Sequence, residues 1–142
     1  MLEKYLTECL YFTASRLDRI ITKMAEDEFS KTGLSPTAAY LLMVVYEDEG
    51  LSQKKIGETL YLKPSTVTRT IDNLVRKELI NKEINGRTTL IYSTNKGKEL
   101  STLIHECWFS LRDHYSSIIG KEDADEITNK ISKINDQLDI VD

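Results

Sequence analysis

The stretch LSQKKIGETLYLKPSTVTRTIDNLVRKELI, residues 51–80, restricts this chain more than any other. Its apolar residues fall at Ile56, Leu60, Leu62, Val67, Ile71 and Leu74, the spacing of two short helices that each bury one face. Ser52 carries the hydroxyl of an N-cap for the first helix, and Pro64 suits the first position of the second. Tyr61-Leu62-Lys63 is left as the turn. Gly57 stands where the two helices would cross, and a missing side chain there permits close approach. Lys63 is a poor N-cap. Ser65, Thr66, Thr68, Arg69, Asp72 and Asn73 remain on the outer face of the second helix. Hydroxyls and a guanidinium on the leading turns of an exposed helix suit hydrogen bonds to phosphates and base edges. The plainer alternative is the solvated face of an ordinary helical domain.

After Leu79 the apolar period shortens from helical to alternating. Residues 80–84 and 89–93 flank Asn85-Gly86, a signal for a two-residue hairpin turn, which puts Arg87 close to the tip of a small wing. A projecting arginine there suits the minor groove or a neighbouring phosphate. As an ordinary surface residue it would pair with Glu83. The charge distribution favours the polyanion. The chain carries −4 overall, but residues 53–99 hold ten basic and five acidic residues, a local +5, and the remainder carries −9. A basic centre between acidic flanks is expected of a domain that presents one face to nucleic acid. Lys54, Lys55, Lys63 and Lys96 are placed to neutralise phosphates, which adds affinity without sequence information.

The flanks read as helices. Residues 2–29 carry Leu2, Leu6, Cys9, Leu10, Leu17, Ile20, Ile21 and Met24 on one stripe, which predicts a single long amphipathic helix. Ser35-Pro36 starts the next helix, whose AAYLLMVVYE is apolar nearly all round and is expected at the centre of the core; Gly50 ends it. Thr94 or Asn95 caps a further long helix with Leu100, Leu103, Ile104, Cys107, Trp108, Leu111, Tyr115 and Ile118 on its apolar positions, broken by Gly120. The last helix repeats Ala124, Ile127, Ile131, Ile134, Leu138 and Val141, the narrow seam of a helix that packs on another helix. The terminal helices have more apolar stripe than one small domain covers, and a homodimer would bury the excess.

In order and spacing these segments resemble the MarR family of winged helix-turn-helix transcriptional regulators, over essentially the whole chain. LSQKKIGETL is similar to the family's first motif helix, STVTRTIDNLVRKELI to its recognition helix and exit, and GRTTLIYSTNKGKEL to its second wing strand and lysine-glycine entry into a long helix. The chain departs from the family's usual residues at Tyr61, where glycine is common, at Lys63, where serine or aspartate is common, and at Asn85, where aspartate is common.

The resemblance implies a mainly α fold with a small β-hairpin wing, in one MarR-type domain over 1–142. Residues 33–95 would be the winged helix-turn-helix part (motif about 52–77, wing about 80–94), and 1–32 with 96–142 a helical dimerisation region. It implies a homodimer on a pseudo-palindromic operator in double-stranded DNA, most often as a repressor. The DNA contacts would come from Ser65, Thr66, Thr68, Arg69, Asn73 and Arg87, with the four lysines on phosphates. An effector pocket between the dimer region and the winged part, lined by Phe12, Arg16, Tyr46 and Trp108, would take a small aromatic effector.

Two further readings stay beside this one. The first is a winged module that binds a protein and no DNA. The second is a thiol-switched regulator. Its family pattern puts a reactive cysteine just upstream of a Ser-Arg pair, but Cys9 is one residue too close to Ser15-Arg16, about 100° round a helix. Cys9 and Cys107 both fall on apolar stripes and are expected in the core. His105 and His114 are spaced too loosely for a metal site, so neither metal nor cofactor is expected. The sequence has no phosphate loop, nucleophile elbow or paired-histidine motif, so no catalytic residue is assigned. No run is long enough to span a membrane and the start does not resemble a signal peptide, so the cytoplasm is the expected compartment.

Overall fold

The computed structural model describes residues 1–139; Val141, the last position of the expected seam, lies outside them. The elements run α1 (Leu2–Thr7), α2 (Leu10–Phe29), a 3-10 turn (Ser30–Thr32), α3 (Pro36–Glu47), β1 (Leu51–Ser52), α4 (Gln53–Leu60), α5 (Pro64–Arg76), β2 (Ile80–Asn85), β3 (Thr88–Ser93), α6 (Asn95–Glu99), α7 (Ser101–Ile119) and α8 (Lys121–Leu138). The mainly α fold with a β-hairpin wing is as expected. Three features differ from the sequence-based expectations.

The N-terminal helix is broken at Glu8 and Cys9. Cys9 takes an extended backbone and flanks α2 as an N-cap with no side-chain hydrogen bond. The expected continuous helix over 2–29 is therefore two helices, and the phase argument that turned Cys9 away from Ser15-Arg16 loses its premise. Cys9 is also exposed, not packed in the core, whereas Cys107 is buried as expected. Burial pushes the Cys107 thiol pKa up, with Lys31 opposing and Glu28 and Glu106 adding to it.

The long helix after the wing is likewise two: α6 ends at Glu99 and α7 begins at Ser101, with Leu100 between them. Thr94 caps α6, its hydroxyl accepting from the Gly97 N–H at 3.0 Å. Gly97 must be glycine: a Cβ there would lie 2.1 Å from the Leu79 carbonyl oxygen. Backbone contact that close decides where the chain leaves the wing.

The wing is wider than a hairpin. β3 pairs antiparallel with β2 and also with β1, in the order β1-β3-β2, with Leu51 opposite Ile91 and Ile80 opposite Ser93. The turn is Gly86-Arg87 rather than Asn85-Gly86, because Asn85 pairs with Thr88. Gly86 supplies the positive φ (65°) at the first turn position, the pattern of a type II′ hairpin.

Capping and core follow the sequence closely. The Ser35 hydroxyl accepts from the Ala38 N–H at 3.2 Å, and Ser52 accepts from Lys55 at 3.1 Å. The core gathers Phe29 and Leu34 with Ala38, Ala39, Leu41, Leu42 and Val45 of α3, Ile56 of α4, and Val67, Ile71 and Leu74 of α5. Leu79 just before β2, Ile80 and Ile91 of the sheet, and Ile104 and Cys107 of α7 complete it. At about 25 cal/mol per Å² of apolar area removed from water, this cluster is what sets α4 and α5 against each other. Among the described residues, no helix is long and apolar enough to cross a membrane.

Candidate nucleic-acid interface

Burial of Val67, Ile71 and Leu74 fixes the rotation of α5, and so decides which residues it turns outward. Ser65, Thr68 and Arg69 are exposed; Thr66 and Asn73 are half-buried. Lys54 and Lys55 are exposed on α4, and Lys63 precedes α5. Lys63 brings no side-chain cap, so the first-turn amides of α5 have no side-chain acceptor, and a helix N-terminus in that condition favours an anion. Gly57 lets α4 and α5 meet closely, since a Cβ there would stand 3.0 Å from Val67 Cγ2. The turn between them is held by Tyr61 in the left-handed region (φ 56°, ψ 39°).

Two side chains absent from the sequence reading organise this face. Gln53 Nε2 donates to Thr68 Oγ1 at 3.0 Å, from the first residue of α4 to the exposed face of α5. Lys82 of β2 donates to the Asp72 carboxylate of α5 at 2.8 Å. Both join residues ten or more positions apart, and no periodicity in the sequence points to them. Arg87 lies at the turn of the wing, exposed, with no ion pair to Glu83 or any other acid among the described residues. Lys96 is exposed too, but its ammonium donates to the Lys77 carbonyl at 3.2 Å, at the C-terminal end of α5, where a cation also complements the helix dipole.

The wing is clasped from behind. The Glu49 carboxylate accepts from the Ser93 N–H at 2.8 Å and from its hydroxyl. The Tyr46 hydroxyl donates to the Gly97 carbonyl. Burial first, and the nearby Glu49 second, push the Tyr46 phenol up from 10.0 to about 12.

The expected effector residues are divided between two places. Phe12 and Arg16 line an open cavity of about 370 Å³ with Leu6, Thr7, Thr13, Leu17 and Ile20, and neither Tyr46 nor Trp108 borders it. Both of those pack on the core; Trp108 Nε1 donates to the Tyr40 hydroxyl at 3.1 Å, and the Arg112 guanidinium lies 5.7 Å from its ring. A larger apolar channel of about 1130 Å³ runs between α2, α7 and α8, bordered by Leu17, Ile21, Tyr115, Ile127, Ile131 and Ile134 among others. The seam of α8 is open to it: Ile127 is 51% and Leu138 65% exposed in the single chain.

Comparison with known proteins agrees with this architecture. The model of the MarR family matches residues 34–86, from the start of α3 to the wing turn. The regulator SarZ of Staphylococcus epidermidis is 29% identical over 105 residues, 72% of this chain and 71% of SarZ. The crystal structure of the S. aureus MepR–DNA complex superposes with a TM-score of 0.79 at 19% identity, covering 92% of this chain and 98% of MepR. That of the PcaV regulator from Streptomyces coelicolor, in complex with its natural ligand, gives 0.82 at 21% identity, covering 92% and 94%. Residues 34–86 thus match the MarR family of winged helix-turn-helix transcriptional regulators, and the chain is similar to regulators of that kind over most of its length.

Proposed function

We propose that this regulator acts in the cytoplasm as a homodimeric repressor on a pseudo-palindromic operator, with no catalytic activity of its own. Residues 33–95 read DNA, and 1–32 with 96–142 hold the two copies together. The observation that carries the reading is the exposed face of α5, with Ser65, Thr68 and Arg69 turned outward beside Lys54, Lys55 and Lys63, and Arg87 at the wing turn. Arg69, with Thr66 and Asn73 beside it, addresses bases in the major groove, Arg87 the flanking minor groove, and the lysines the phosphates, Lys96 at the end of α5 included. The uncovered apolar faces of α2 and α8 supply the dimer contact.

Two recognition helices must match half-sites about 34–36 Å apart, so any ligand that moves the terminal helices changes DNA affinity. A small aromatic effector fits the cavity beside Phe12 and Arg16, whose guanidinium would meet an acidic group on it. Anisotropy titration of duplex DNA from the adjoining promoter tests the reading. Tight binding that falls steeply with salt and weakens with Arg69→Ala supports it; equal affinity for random duplex, unchanged by Arg69→Ala, removes it.

The exposed Cys9 thiol at the helix break favours a second reading, control by oxidation. Peroxide should then release DNA from the wild type and leave Cys9→Ser bound. Release from both ends that reading.

A further inference from the structure

The bond from Gln53 to Thr68 carries a consequence for how Thr68 meets DNA, given that α5 reads DNA at all. A threonine hydroxyl has one proton to give and two lone pairs to receive with. Gln53 Nε2, 3.0 Å away, occupies one lone pair. Gln53 is the first residue of α4, directly after Ser52, which caps that helix and pairs with β3. Its backbone is therefore held by the sheet and the cap together, and its half-buried side chain spans to α5 from a fixed base. Thr68 itself is exposed, one turn after Pro64, and adjoins Arg69 on the outer face.

We infer that Gln53 is a positioning residue for recognition: it fixes the polarity of Thr68, leaving that hydroxyl to donate outward. With its proton free and only one lone pair left, Thr68 then favours an acceptor on the DNA, such as O6 or N7 of guanine, N7 of adenine or O4 of thymine, over the amino group of cytosine or adenine. A free threonine hydroxyl would rotate to suit either class. The amide of Gln53 thus narrows what one position of the half-site accepts without touching the base.

The test is selection from a randomised duplex library with the full-length protein, read as base preference at each position of the enriched motif. Wild type should enrich a symmetric motif. Gln53→Met keeps the length and removes the amide, and should flatten preference at one position per half-site by about three- to tenfold, the worth of one ordinary hydrogen bond. Thr68→Val should flatten the same position, and the double variant should add nothing further. Affinity for non-specific duplex and its salt dependence should stay unchanged in Gln53→Met, which a merely structural role would not leave intact. Gln53→Glu offers only acceptors, so Thr68 must donate inward and present lone pairs outward; the preference at that position should move towards cytosine or adenine.

Additive effects of Gln53→Met and Thr68→Val, or flattening at a different position, would show that Gln53 touches DNA itself and overturn the inference. So would unaltered preference in both Gln53 variants. A wild type that binds no duplex in a salt-dependent way defeats the DNA-reading proposal and this one with it. A wild type with a clear motif and indifferent Gln53 variants defeats this one alone.

Discussion

Lys82 and Asp72 lie 2.8 Å apart, one on the first wing strand and the other on the outer side of the recognition helix. The pair ties β2 to α5 and also neutralises the carboxylate on α5. Both side chains are partly exposed (37% and 44%), so its worth in stability is at most about 1 kcal/mol. If α5 reads DNA as proposed, the pair's effect on binding should be larger, because losing Lys82 leaves the Asp72 carboxylate unpaired on that helix. Lys82→Ala should weaken binding to every duplex, most strongly at low salt, and adding Asp72→Asn should restore part of the loss. Anisotropy titrations at several salt concentrations check both.

Gly97 has no room for a methyl group, since the Leu79 carbonyl oxygen would sit 2.1 Å from a Cβ. Gly97→Ala forces the wing exit and α6 apart, and should cost about 2–4 kcal/mol. Denaturant unfolding should show a lower midpoint with an unchanged slope.

Tyr61 and Glu78 both hold positive φ, 56° and 62°. An L side chain pays for that backbone, and glycine does not, although glycine adds entropy to the unfolded chain. Tyr61 is 81% exposed, so its removal gives up little packing. Tyr61→Gly and Glu78→Gly should each stabilise by up to about 1 kcal/mol, read from chemical unfolding.

Tyr46 makes the fold sensitive to alkali. Its folded pKa of about 12 lies above the ordinary 10.0, so the unfolded chain loses that proton first. The stability it contributes is complete below pH 10, and declines as pH rises through the folded value. Tyr46→Phe should remove this part of the alkaline slope, while losing the bond to the Gly97 carbonyl at a cost of about 1 kcal/mol at neutral pH. Thermal melts between neutral and strongly alkaline pH measure both.

The apolar faces of α2 and α8 predict assembly. Ile131 and Ile134 are 38% and 37% exposed and border the channel between α2, α7 and α8. Ile131→Asp should convert a dimer to a monomer in light scattering, and abolish operator binding without unfolding the winged part.

Much of this protein was legible in the sequence because the signals are local. Ser35, Ser52 and Thr94 cap the helices they precede, Pro64 begins α5, Gly120 ends α7, and the period changes at Leu79. Each depends on residues within a turn or two of one another, and burial of one face follows from spacing alone. The outward set on α5 was readable for the same reason: once Val67, Ile71 and Leu74 go inward, Ser65, Thr68 and Arg69 have to face out.

What only the structure decided are pairings and breaks that periodicity does not encode, most of them between residues distant in the chain. β1 joins the wing because Leu51 meets Ile91, the turn moves to Gly86-Arg87 because Asn85 meets Thr88, and the helix breaks at Cys9 where its apolar stripe had promised continuity. Gln53 on Thr68 and Lys82 on Asp72 are of this kind. The division of the expected effector residues, with Phe12 and Arg16 on one cavity and Tyr46 and Trp108 on the core, is another. Periodicity states which face a residue occupies, but the partner across the gap depends on how the core sets one element against another, and that is a property of the packed chain.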